Sequence, residues 1–493
     1  MSTLIAGACE WATSLRLADI PADVRRLAIA QDMSSLAALH ATHRHPVHHR
    51  LERALTKMGW EHQAAAAALT TMALDFDETA FAGHLGHACG LPILVCAAAN
   101  GASGERALVA QVAAAEVAAR LTASVTLGSA RGQIAAHTHA AGAAVGFGVL
   151  LGLSADQLST ALSLALAQSR HVLLPAFMGS DAKFWVAAAP ILDAANAVRA
   201  ASDGAQGHPG LLEAAGGVLA ELAEVPLPEA FSGYGERWHL RTLSIKAIPG
   251  CAYLTAAAEV AMELGPIDLA EVESVEAGVS ILTIGMEAQS RPFIAGPATP
   301  VPALGFTTGY NVAAALETGG VDVEDLFGEP LSRDPRWRVA AALTLVHDVE
   351  LTTTALAATA PVGQAIAWAR ERALPYLQGR GAGEDLARRV VAEARDAAEA
   401  NLERPSKRIG ARLKVILRGG RVLEGMRPAA TGSCQESVDQ RAALAERKLS
   451  TQLVARGMSD DTERLVAGYR GLADLTPAGL ASLVSLHLES RSG

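Results

Sequence analysis

The chain has 493 residues, half of them apolar, 19% charged and 4% aromatic, with a net charge of −10. That length buries a large core and, at about 100 to 200 residues per domain, fits two to four domains. The acidic balance leaves no electrostatic footprint for nucleic acid, and five scattered cysteines without C-x-x-C spacing disfavour a disulfide framework, a zinc site or an iron–sulfur cluster.

At the N-terminus, Met1 to Ile5 lack the charged start of a signal peptide, and no apolar run reads as both long and uninterrupted enough to span a bilayer. A soluble, cytoplasmic protein with no membrane partner is expected. Val24 to Ala41 follows Pro21 with helical apolar spacing and Asp23 as a candidate cap. Arg53 to Met58, Gln63 to Ala73, Leu91 to Ala98 and Glu105 to Leu121 read as further helices, and Ala140 to Leu151 is almost entirely Ala, Gly, Val and Leu. Small residues permit close helix contact, so this stretch reads as the centre of a bundle. Ser154 is placed to cap the helix that runs on from Leu158 to Ser169.

The pattern changes near Arg241. Val272 to Leu282 and Leu343 to Leu351 alternate loosely, and Arg412 to Leu417, Gly419-Gly420 and Arg421 to Leu423 spell a hairpin. With helices at Val312 to Leu316 and Asp385 to Asn401, this predicts a smaller α+β lid domain at 244–425. The tail helices, Val438 to Val454 and Thr476 to Leu488, return to the bundle. The predicted fold class is therefore mainly α: a large all-helical bundle domain, 1–243 and 426–493, with the lid.

Two lysines stand in breaks of the helical pattern. Lys246 lies in the Pro249-Gly250 turn of Ser244 to Tyr253, and Lys183 follows Gly179-Ser180 inside an apolar tract. Loops carry function where periodic segments carry packing, and an ammonium grips a carboxylate both as a charge and as a three-fold donor. An anionic, carboxylate-bearing small-molecule substrate is expected.

The order of these features resembles the MmgE/PrpD family of cofactor-free lyases and isomerases, to which 2-methylcitrate dehydratase, cis-aconitate decarboxylase and iminodisuccinate epimerase belong. The resemblance spans nearly the whole chain. Asp19 to Val24 is similar to its opening, and Asp75 to Thr79 followed by His84 and His87 resembles its paired-acid segment leading to a histidine, with His87 the closer positional match. Leu151 to Ser154 is similar to its Leu-Gly-Leu step. Lys183 falls on the lysine after its Gly-Ser turn, Lys246, Pro249 and Cys251 fall on its Lys-x-x-Pro-x-Cys turn, and Tyr310 falls on a tyrosine used near the substrate. Gln133, Val186 and Thr255 stand where the family has histidines.

The resemblance implies a cofactor-independent lyase, of dehydratase or decarboxylase type, that removes a proton next to a carboxylate. Its expected catalytic residues are His87, His137, His139, Lys183, Lys246 and Tyr310. Asp77, Gln133, Lys183 and Lys246 would bind substrate, and no metal or organic cofactor is needed. An imidazole titrates near neutral pH, which suits a base; the lysines would stabilise an enolate-like carbanion, and Tyr310 would donate a proton. An isomerase or epimerase of a similar acid, or a non-catalytic binding relative, are the alternatives. The expected partners are the substrate and a second copy of the chain, as a homodimer. The run His40, His43, His45, His48 and His49 around Pro46 reads as a solvated connection, and Gly379 to Gly383 lacks the preceding strand of a nucleotide loop.

Overall fold

Small side chains let the helices of the main core approach closely. The computed structural model describes residues 2–52, 59–128, 134–168, 171–398 and 402–488, and it is mainly helical with two small sheets. Ala22–Arg44 packs on Val438–Ala455, and Gly104–Val125 and Ala182–Ser202 both pack on Ala135–Leu150. In that last helix a Cβ on Gly142 would stand 2.5 Å from Cys89 Sγ, so the closeness of the neighbour requires glycine there. Gly104–Val125 is, by length and composition, apolar enough to cross a membrane, unlike the expectation from sequence; here it is wholly buried among other helices.

The predicted helices are present with shifted ends. Val24 to Ala41 lies within Ala22–Arg44, but Asp23 does not cap it; Pro21 holds the cap position and Asp23 sits in the first turn, paired with Arg241. Ser154 does cap Ala155–Leu166, exchanging hydrogen bonds with Gln157. The expected helix at Arg53 to Met58 lies outside the described residues.

The four-stranded sheet has the order β4-β3-β5-β6, with β3 Val272–Val279, β4 Leu343–His347, β5 Ala411–Leu417 and β6 Val422–Arg427. β3 pairs parallel to β4 and antiparallel to β5, and β5–β6 is the predicted hairpin, turning through Gly419 and Gly420 at positive φ. Two alternating runs end early for one reason, a polar cap inside them. Ser280 Oγ accepts from Thr283 N–H and starts the helix Ile281–Ser290, while Asp348 accepts from Glu350 and Leu351 N–H and starts Val349–Ala357.

The sheet has its own apolar core, separate from the helical one. Two smaller clusters mix the two parts of the chain: Phe81 and Leu127 pack with Leu356 and Ile366, and Leu74 and Phe76 with Leu304 and Tyr310. The histidine run is not a solvated connection throughout. His40 and His45 are buried, His40 on the Ala22–Arg44 helix with Nε2 at 2.8 Å from His487 Nδ1 and Nδ1 at 2.7 Å from Arg456. All five cysteines are free and buried.

Glycine content thus divides into required and spare positions. Gly142→Ala should lower the urea midpoint, since overpacking costs about 1–3 kcal/mol against about 1 kcal/mol of helix propensity gained. Gly7→Ala, in the Leu4–Ser14 helix with nothing within 4 Å of the added carbon, should raise it by the equivalent of about 0.5–1 kcal/mol.

Candidate active site

The site is assembled by the smallest sheet in the molecule. β1, Glu78–Thr79, pairs antiparallel with β2, Ser244–Ile245, in the register Glu78 to Ile245 and Thr79 to Ser244. Continued by one residue, that register sets Asp77 opposite Lys246. Lys246 Nζ is 3.3 Å from Asp77 Oδ1 and 2.9 Å from Asp75 Oδ1, and it also donates to the carbonyls of Asp75 and Gly250. Gly250 is at φ 113, a backbone few other residues adopt, and its N–H donates to Leu74 O at 3.2 Å. Asp75 itself is at φ 53, a left-handed conformation that Asp tolerates better than most.

Lys183 arrives from the first turn of Ala182–Ser202. Its Nζ is 3.2 Å from Asp75 Oδ2 and 4.6 Å from the centre of the Phe306 ring. Asp75 thus stands between two ammonium groups, all three buried. Burial would raise the Asp75 carboxyl, but Lys183 and then Lys246 outweigh it and hold it well below its ordinary value. Burial likewise opposes the charge on Lys246, and Asp75 and Asp77 carry it above the usual lysine range.

Asp77 is fully buried and serves three neighbours. Its Oδ2 accepts from His84 Nδ1 at 2.6 Å and lies 3.2 Å from His87 Nε2, the latter off the line a hydrogen bond needs. His87 is fully enclosed, with Nδ1 at 2.9 Å from Thr71 Oγ1. His84, in contrast, has a side chain 25% exposed and lines a cavity of about 420 Å³, a size suited to a small ligand. Its Nδ1 is held by Asp77, which leaves Nε2 as the nitrogen available to a ligand.

The cavity lies along the seam between the two parts of the chain. Asp75, Thr138 and Lys183 line it from the helical side, and Cys251, Phe306 and Lys407 from the other. Behind it, burial and the nearby Asp77 push Glu78 up to about 7, and burial pushes Lys448 down to about 7 against the pull of Glu78. Glu78 accepts from Ser35 Oγ, while Lys448 donates to Ser34 Oγ at 3.0 Å and to the Phe76 carbonyl.

Of the expected catalytic and substrate-binding residues among the described ones, Lys183 alone lines this cavity. Lys246 and Asp77 lie beneath it and are occupied by ion pairs, so they position its wall rather than meet a ligand. His87 sits behind His84, and of the two only His84 lines the cavity. His139 is fully buried with Nδ1 at 2.8 Å from Val186 O and Nε2 at 3.0 Å from His84 O, burial pushes it down to about 3, and it does not line the cavity. His137 is buried beside His171, ring centres 6.4 Å apart, and does not line the cavity. Tyr310 is not at the site either: its hydroxyl donates to Asp325 O and accepts from Arg336 at 3.3 Å, deep in another cluster. Gln133 lies outside the described residues. Thr255, at a family histidine position, donates to Cys251 O at 3.2 Å. Lys407 was not singled out by sequence, although it follows Pro405 just before β5 in a break like those of the other two lysines.

Asp77, His84 and His87 also place three ligand atoms within 4.8 Å of one another, the donor types of a carboxylate–imidazole metal set. Charge argues against an ion there. Asp75 and Asp77 are already matched by Lys183 and Lys246, and a divalent cation would add two unbalanced charges in a buried place. No protein-family model matches the chain, and no curated protein matches it.

The Asp75 grip has a pH signature. A carboxyl held below its ordinary value of 3.8 contributes stability that is complete above about pH 4 and is lost as pH falls through the lower, folded value. Asp75→Asn, which leaves a buried ammonium unpaired, should cost about 3–5 kcal/mol at neutral pH. Its urea midpoint should also fall less steeply than that of the wild type below pH 4; equal midpoints at pH 7 would refute the grip.

Proposed function

We propose that the chain is a cofactor-independent lyase of the MmgE/PrpD type, acting on a small carboxylate-bearing substrate by removing a proton next to a carboxylate. The observation that carries this reading is the His84–Asp77 pair at the edge of a cavity lined by a buried lysine. An imidazole whose Nδ1–H is held by a carboxylate keeps its other nitrogen as a base and is stabilised once protonated. In this reading residues 244–425 form the lid over a helical domain, 1–243 with 426–493.

His84 Nε2 takes the proton from the carbon beside the carboxylate. Lys183, which lines the cavity and has donors beyond the one given to Asp75, meets the carboxylate and stabilises the enolate-like carbanion. The electron pair then forms the carbon–carbon double bond as a β leaving group departs, and His84 returns its proton to that group. Epimerisation needs only that the carbanion be reprotonated from its other face, for which a lysine lining the cavity such as Lys183 is a proton carrier.

Solvent deuterium exchange into a panel of di- and tricarboxylates tests the reading. Wild type should exchange with at least one acid, and His84→Gln should lose about 10²- to 10⁴-fold, while folded His139→Gln stays near wild type. Exchange without elimination or decarboxylation selects the isomerase, and no exchange with any acid refutes proton abstraction.

Dialysis against a strong chelator should leave the exchange rate unchanged. Loss of exchange, restored by one added divalent metal, would assign Asp77, His84 and His87 to a metal centre and overturn the cofactor-free reading.

A further inference from the structure

Away from the cavity at His84, a second hollow of about 440 Å³ opens where the Ala22–Arg44 helix meets Val438–Ala455 and the end of Ser459–Arg470, and it shares no lining residue with the first. Its floor is apolar: Ile29 is half-buried, and Met33, Leu108 and Ala442 are buried. Its rim carries three guanidinium groups, those of Arg25, Arg26 and Arg470, and one carboxylate, that of Glu446. Arg470 is occupied by Glu446, with Nε donating to Oε1 at 2.9 Å and a terminal nitrogen to Oε2, and Arg26 is paired with Asp439. Arg25 is half-buried, and among the described residues its side chain has no hydrogen bond and no ion pair. Three guanidinium groups and two carboxylates leave one positive charge above an apolar floor, and the group that carries it retains all its N–H donors. The helix gains nothing from that charge. Arg25 is the fourth residue of Ala22–Arg44, close to the end where the helix dipole disfavours a cation.

We propose that this hollow binds a small amphiphilic acid, a molecule with one carboxylate and an apolar chain, whose carboxylate pairs with Arg25 while its chain lies on Ile29, Met33 and Leu108. A guanidinium receives a carboxylate through two parallel N–H donors, and the volume falls within the range of small-ligand sites, about 300–1,000 Å³. Neither half of such a ligand suffices alone. A bare carboxylate on one solvent-reached arginine is worth little, and a neutral chain leaves the spare charge unmatched. A second carboxylate would meet the apolar floor or Glu446, so the ligand belongs to a different class from the acids proposed for the cavity at His84.

Calorimetric titration of the full chain with octanoate, acetate and 1-octanol tests the site. Octanoate should bind wild type, and acetate and 1-octanol should each bind at least about tenfold more weakly, since each supplies one half of the ligand. Arg25→Met should weaken octanoate binding by roughly 10- to 100-fold, the usual effect of losing a charge-assisted bond, while Arg25→Lys, which keeps the charge, should stay closer to wild type. Without ligand, Arg25→Met should melt with wild type, because no partner is lost. Octanoate held in the cavity at His84 instead would show as an affinity that Arg25→Met leaves unchanged, and that result would overturn the proposal. So would octanoate binding no tighter than acetate, or not at all. A lower melting temperature of unliganded Arg25→Met would make the arginine a structural residue and overturn it as well.

Discussion

A single carboxylate held by two lysines organises this molecule. Asp75 meets Lys183 and Lys246, residues 108 and 171 positions away in the chain, so one buried group joins the end of one helix, the start of another and a loop at the edge of the sheet region. Buried charges are tolerated only when paired and hydrogen-bonded, and here each charge fixes the place of the next. Lys246 ties Asp75 to Asp77, and Asp77 ties the cluster to His84. Breaking one pair leaves an uncompensated charge inside the protein, and that makes the arrangement rigid. The left-handed backbone at Asp75 and the glycine at 250 are local costs carried by this network.

Rigidity at the base of the cavity gives His84 its direction. Of His84, His87 and His139, His87 is enclosed against Thr71, His139 is wedged between two carbonyls, and only His84 combines a carboxylate on Nδ1 with a face on the cavity. The carboxylate fixes the tautomer and the ring orientation, which is what proton transfer requires of its base. Behind it lie Glu78 and Lys448, both buried, the one pushed up and the other pushed down by burial to about 7.

Periodicity was enough to place the longer bundle helices and the β5–β6 hairpin, because apolar spacing, Ser154 and the Gly419-Gly420 turn are local signals; Leu4–Ser14, Ile281–Ser290 and Ser459–Arg470 were not foreseen. Lys183 and Lys246 could be picked out for a similar reason, as charges in breaks of an apolar pattern. What sequence could not supply was partnership. Nothing local tells that both lysines meet Asp75, since the contact depends on the two-residue ladder between Glu78–Thr79 and Ser244–Ile245. The choice between His84 and His87, three residues apart, turned on which ring faces the cavity, and spacing is silent on that. Tyr310 falls on a tyrosine used near the substrate in the resemblance, whereas packing against Trp337 and the bond to Asp325 hold it away from this cavity. His40 and His45 looked solvated because polar residues surround them in sequence, yet partners distant in the chain bury them.

Charge balance connects the network to its ligand. Two carboxylates and two ammonium groups cancel at the base of the cavity, and Lys407 adds one positive charge with only a hydroxyl beside it. A divalent cation at Asp77, His84 and His87 would raise the excess to three positive charges. A carboxylate entering from the seam lowers it to zero. The same electrostatics that makes the isolated lysine unfavourable makes a carboxylate its favoured partner.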